Sequence, residues 1–215
     1  MKNKKTVLLS VVLLILGFVF VTKYYQKDQE KQVQKLSVKS HEIPFVRDHS
    51  PVFGKNEKNV VIVEFMDPQC GACKRFHPTI KKLFREYGNE TKLVIRYLAS
   101  HKDSKYAVRL LEAARLQGKF NEALEVIFKY QDKWGDHYDP NVEILWDLLP
   151  EAGLDMMKLK MDFESNYIDG ILSLDLADAK KLKVRGTPTV FVNGKEVKKL
   201  DYESLLGAVE SEIYK

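Results

Sequence analysis

Cys70 and Cys73 are the only two cysteines in 215 residues, and only Gly71 and Ala72 separate them. Two thiols at that spacing close a small disulfide ring when the second continues a helix begun at the first, so the pair can cycle between dithiol and disulfide. A structural zinc site needs four ligands, and the chain has neither a second cysteine pair nor a His-x-x-x-His to complete one. Copper held by the two thiolates stays open as a second use of the pair, with His77 four residues past Cys73 on a similar side of the same predicted helix. The ordinary reading of His77 is a partly exposed helix residue beside Pro78. No cofactor is implied by the redox reading.

Glu64 is the other residue out of keeping with its neighbours, a carboxylate inside the apolar run Val60-Val61-Ile62-Val63-Glu64-Phe65-Met66. Burying it unpaired costs several kcal/mol, so it is protonated, partnered, or placed at a solvent-facing edge.

The elements that hold these groups are legible from periodicity. The run from Val60 to Met66 predicts a strand buried on both faces, Asp67-Pro68-Gln69 turns the chain, and a helix is predicted from Cys70 to about Tyr87, ended by Gly88. Leu93 to Leu98 predicts a second, parallel strand. Between Asp103 and Lys183 apolar residues recur at helical spacing with no convincing strand, which predicts a helical insertion at about 101–183 whose tryptophans, Trp134 and Trp146, are core or groove wall. Thr189 to Val192 resumes the sheet, Asn193-Gly194 reverses it, Glu196-Val197-Lys198 is the predicted partner, and Tyr202 to Tyr214 closes the chain as an amphipathic helix. His41 to Asn59, with Pro44, Pro51 and Gly54, reads as a lead-in.

The first 23 residues are of another kind. Lys2, Lys4 and Lys5 precede an apolar run from Val7 to Val21, and no small-x-small pattern near Phe18–Lys23 marks a cleavage site, so an uncleaved single-pass anchor is favoured over a signal peptide. The lysines stay in the cytoplasm by the positive-inside rule, which places everything after Lys23 on the extracytoplasmic side of a bacterial membrane. Residues 24–49 read as a polar spacer and 50–215 as the domain. Removing Lys2, Lys4 and Lys5 from a formal charge of +5 leaves +2, a balance that argues against a nucleic-acid partner.

The order strand, Cys-x-x-Cys at a helix start, strand, helical insertion, Gly186-Thr187-Pro188, hairpin and last helix resembles the thioredoxin superfamily, specifically the extracytoplasmic DsbA-like thiol-disulfide oxidoreductases. The resemblance implies an α/β thioredoxin fold with an inserted helical domain. It implies Cys70 as nucleophile, Cys73 as resolving thiol, and Glu64, six positions before Cys70, as the group that accepts and returns the proton of Cys73. It further implies a cis Pro188 facing the sulfurs and Thr187 as a substrate-binding residue. The partners implied are reduced or misoxidised exported proteins and a membrane redox protein that restores the pair. Gly71-Ala72 takes the place of the Pro-His that adds thiolate stabilisation in strongly oxidising members, so reductase or isomerase use stands beside oxidase use. The oxidase is favoured, since the spacer is too short to be the dimerisation domain that related isomerases carry.

Overall fold

The structure is a computed structural model and describes residues 8–24, 27, 45–136 and 141–215. Strand β2 (Val60–Met66) is the middle of a five-stranded sheet that runs in the order β1 (Val52–Phe53), β3 (Thr91–Tyr97), β2, β4 (Thr189–Val192), β5 (Lys195–Glu196). It runs parallel to β3 (Thr91–Tyr97) and antiparallel to β4 (Thr189–Val192), so Glu64 pairs with Ile95 on one side and Val190 on the other. Glu64 is therefore at the centre of the sheet, and a solvent-facing edge position is overturned. Strand alternation puts it on the face of Ile62 and Met66, which join the main core, while Val63 and Phe65 point to a smaller cluster with Val94, Ala179 and Phe191 on the other face.

The strand expected at Leu93 to Leu98 runs from Thr91 to Tyr97, and two short strands differ from the expectation as well. The lead-in contains a two-residue strand, β1 (Val52–Phe53), antiparallel to β3, and the last hairpin pairs β4 with β5 (Lys195–Glu196), placing the partner one residue earlier than predicted. Both are too short to carry an alternating pattern of their own.

Helix α1 (Gly71–Tyr87) follows β2 and buries Cys73, Phe76, Ile80 and Leu83 against the sheet. Between β3 and β4 come α2 (Ser104–Arg115), α3 (Phe120–Lys129), α4 (Gln131–Trp134), α5 (Leu145–Leu148), α6 (Met156–Phe163) and α7 (Asn166–Lys181), with short 3-10 turns at Val142–Ile144 and Leu149–Ala152. Among the described residues no strand interrupts them. Trp134 is fully buried and its indole N–H donates to the Ile127 carbonyl at 2.8 Å, while Trp146 is half-buried against Phe163, so one is core and the other a wall. Helix α8 (Tyr202–Ile213) closes the fold behind an Asp201 cap that accepts from the Ser204 N–H.

The second face of the sheet carries a buried ionic knot. Arg96 of β3 reaches Asp175 and Asp178 of α7, and Arg47 grips Asp178 through two hydrogen bonds of 2.7 and 2.8 Å. Asp175 also accepts from the Tyr97 N–H and pairs with His49 at 2.7 Å. These charges sit where water cannot reach them, which is tolerable because each acid meets two or more donors.

Residues 8–24 are helical and almost wholly exposed. Among the described residues no helix is long and apolar enough to cross a membrane. The predicted spacer lies outside the described residues except at 24, 27 and 45–49, and the loop at 137–140 lies outside them as well.

Candidate active site

The turn Asp67-Pro68-Gln69 delivers Cys70 to the start of α1. Cys70 is the N-cap residue, with extended backbone angles (φ −73°, ψ 116°), rather than the first helical residue the sequence predicts. That position leaves the first N–H groups of the helix without intrahelical partners and aims them at whatever the cap presents. Here the cap presents a sulfur. Both cysteines are free thiols; Cys70 is 9% exposed and Cys73, one turn on, is 1% exposed.

The two thiols are driven in opposite directions. Cys70 is held down to about 5, first because the Cys73 thiol donates a hydrogen bond to its sulfur. The Thr187 side chain and the N–H groups of Cys73 and Ala72 add to this against the opposing effect of burial. The Cys70 sulfur also stands 3.2 Å from the Thr187 carbonyl, to which its thiol donates when protonated. Cys73 is pushed far above the ordinary thiol range, first by giving its hydrogen to Cys70, then by burial and by the nearby Glu64 carboxylate. Only the Asp67 N–H, 3.5 Å from its sulfur, favours its thiolate. At neutral pH the pair is therefore one exposed-side thiolate backed by one buried thiol.

Glu64 lies beneath this pair on β2, buried, with its acidity weakened to about 7 by the loss of solvent. Among the described residues nothing hydrogen-bonds its carboxyl. It lines a cavity of about 370 Å³ walled by Ile80, Phe84, Leu93, Ile95 and Phe120 and opening toward His77 and Glu125. The Thr187–Pro188 peptide bond is cis, and the Thr187 backbone faces the Cys70 sulfur. The structure thus gathers Cys70, Cys73, Glu64, Thr187 and Pro188 at one end of the sheet. His77 is turned elsewhere: its ring pairs with Glu125 at 2.9 Å and packs against Phe128. Among the described residues no cluster of three His, Cys, Asp or Glu side chains could hold a metal ion.

A family model described as thioredoxin matches residues 47–211. The chain belongs to the thioredoxin family. Among thioredoxin-family relatives, a protein of Rickettsia prowazekii (strain Madrid E) named as a protein-disulfide oxidoreductase is 28% identical over 84% of this chain and 68% of its own. The solved structure of oxidised BdbD from Bacillus subtilis superposes with a TM-score of 0.67 at 26% identity, covering 78% of this chain and 94% of that one. A stretch of a Na(+)/H(+) antiporter, NhaA 1 of Mycolicibacterium vanbaalenii, is 32% identical over 77% of this chain but only 26% of the antiporter, so the shared part is one unit of a much longer protein. Within the thioredoxin family the chain is a DsbA-like thiol-disulfide oxidoreductase, as the sequence resemblance implies.

Three residues that the sequence did not single out hold this thioredoxin-type site in shape. The fully buried Asp67 carboxylate accepts from the Gln69 N–H (2.9 Å), the Ser104 hydroxyl (2.5 Å), the Ser100 N–H (2.9 Å) and hydroxyl (3.3 Å), and the His101 N–H (3.3 Å) and Nδ1 (2.7 Å). Gln131, from α4 of the insertion, donates its amide to the Pro68 and Cys70 carbonyls at 2.8 and 3.2 Å. Gln69 accepts from the Asp103 N–H and donates to the Gly135 carbonyl. Asp67 carries a weak sequence signal, since an acid follows a buried strand directly before the motif. Gln131 carries none, because its partner lies 61 residues away.

Proposed function

We propose that this chain is a membrane-tethered, extracytoplasmic oxidase that passes the Cys70–Cys73 disulfide to exported proteins. The observation that carries this reading is the opposed pair of thiols: a Cys70 that ionises near pH 5 stabilises the reduced form, so the disulfide is eager to accept electrons. The placement outside the cell rests on the lysines at 2, 4 and 5 and the apolar run behind them.

A client thiolate attacks the Cys70 sulfur, the Cys70–Cys73 bond breaks, and its electron pair goes to Cys73. Glu64, half-protonated near neutral pH, supplies the proton that Cys73 needs as a leaving group. The second client thiol then attacks the mixed disulfide and expels Cys70, which leaves as a thiolate without needing a proton. The client loses two electrons and two protons and gains a disulfide; the cysteine pair gains both electrons and, at Cys73, one proton, and the other proton goes to solvent. A membrane redox protein that accepts two electrons closes the cycle. Thr187 offers its backbone to an extended client segment, and Pro188 lies beside the sulfurs.

The test is the reduction potential of the Cys70–Cys73 pair, titrated against glutathione, together with the two single mutants. A potential less negative than about −200 mV supports the donor role, whereas one near about −270 mV turns the direction to reduction. Cys73→Ala should accumulate mixed disulfides with clients and Cys70→Ala none; identical behaviour of the two sinks the mechanism.

A further inference from the structure

Between residues 180 and 199 stand seven basic residues and one acid, a local balance of +6 in a chain whose formal total is +5. This stretch contains the Gly186-Thr187-Pro188 loop. The stretch that holds the segment facing the Cys70 sulfur is thus far more basic than the rest of the domain. Part of it is answered locally: Lys195 pairs with Glu212, Lys198 with Glu196 and Lys199 with Asp201. Lys183 and Arg185 are exposed and make no ion pair among the described residues.

Those two side chains, with Lys198, line a mostly polar cleft of about 470 Å³ that also takes in Gly186, Thr189 and Glu196. Gly186, on the rim of the cleft, is bonded to Thr187, whose carbonyl lies 3.2 Å from the Cys70 sulfur, so one chain step of about 3.8 Å plus that contact puts the rim roughly 7–10 Å from the reacting centre. An extended segment with its cysteine at Cys70 carries the residues two or three positions away to roughly 7–10 Å along the chain. That is the range in which a cationic cleft bordering the loop meets them.

We infer that the cleft formed by Lys183, Arg185 and Lys198 selects client segments with Asp or Glu flanking the reacting cysteine. The inference rests on the exchange reading given above and names the substrate class for it. The cationic side chains raise the local concentration of acidic segments and hold them in register, an effect that works mainly on the association rate and weakens with salt.

The experiment uses three peptides of one backbone, each with two cysteines flanked by Glu, by Gln or by Lys, reacted with the oxidised protein. Rates are normalised to each peptide's thiolate fraction. At low ionic strength the Glu peptide should react about tenfold faster than the Lys peptide, and the ratio should collapse to about twofold in 0.5 M salt. In the double variant Lys183→Glu, Arg185→Glu the ratio should fall at least tenfold and invert; Arg185→Gln, a gentler change, should lower it about threefold. Reaction of all three peptides at one rate overturns the inference and leaves the exchange reading standing, as does a ratio that both variants leave in place. No reaction with any peptide overturns the exchange reading and takes this inference with it.

Discussion

Glu64 and Asp67 are three residues apart on one strand and its turn, both buried, and their surroundings are opposite. Six donors converge on Asp67, from Gln69, Ser100, His101 and Ser104. None reaches Glu64 among the described residues, and loss of solvent lifts it to about 7. A carboxylate wrapped in donors is an anchor that ties the turn before the cysteines to the loop after β3. A carboxyl left bare beside a cavity changes its proton near neutral pH. The contrast separates the group that shapes the site from the group suited to move a proton in it.

The comparison is broken most severely from the Asp67 side. Asp67→Asn keeps the shape but replaces an acceptor oxygen with an NH2 facing donors, and it should lower stability by about 3–5 kcal/mol, seen as an earlier urea midpoint at constant slope. A loss below about 1 kcal/mol would mean that the six donors are not anchored on this acid.

Glu64→Gln acts with the opposite sign. The folded value of about 7 lies above the ordinary 4.5, so the native state holds an extra proton in between. That contribution is fully present below about pH 4.5 and is lost as pH rises through 7. The amide variant should therefore be more stable than the parent by roughly 3 kcal/mol at pH 8 and indistinguishable from it at pH 4. Its disulfide opening should at the same time slow on the order of 100-fold at neutral pH, measured by stopped flow. A variant that loses stability at pH 8 would make Glu64 a structural acid like its neighbour. The smallest effect belongs to Gln131→Leu, which deprives the Pro68 carbonyl of its donor while Lys74 still serves Cys70; about 1 kcal/mol is expected in the same urea assay.

The strand-helix-strand frame was readable because Val60–Met66, the buried stripe Phe76, Ile80 and Leu83, and Thr189–Val192 each carry their period within a few residues. Glu64 stood out for the same reason, as a charge where the pattern demanded none. Arg96 breaks an apolar strand in the same way, but its partners Asp175 and Asp178 lie 79 and 82 residues on, too far for the sequence to pair them. Gln131 is silent because hydrogen bonds to backbone carbonyls leave no compositional trace, and Asp67 signals only weakly, since its donors lie up to 37 residues on. β1 and β5 are two residues each, and pairing alone defines them. The Cys70 cap differed from the predicted helix start by one residue, and that residue matters, since extended angles are what turn the sulfur toward the free N–H groups.

The double grip of Arg47 on Asp178 has a mechanical consequence. Arg47 is the first strongly held side chain after the undescribed stretch ending at residue 44, and its fork fastens to α7, which Arg96 fastens to β3. Any pull arriving from the amino-terminal side is therefore taken up by a moored guanidinium on the far side of the sheet, and the sulfurs, seated on the opposite layer, are spared the load.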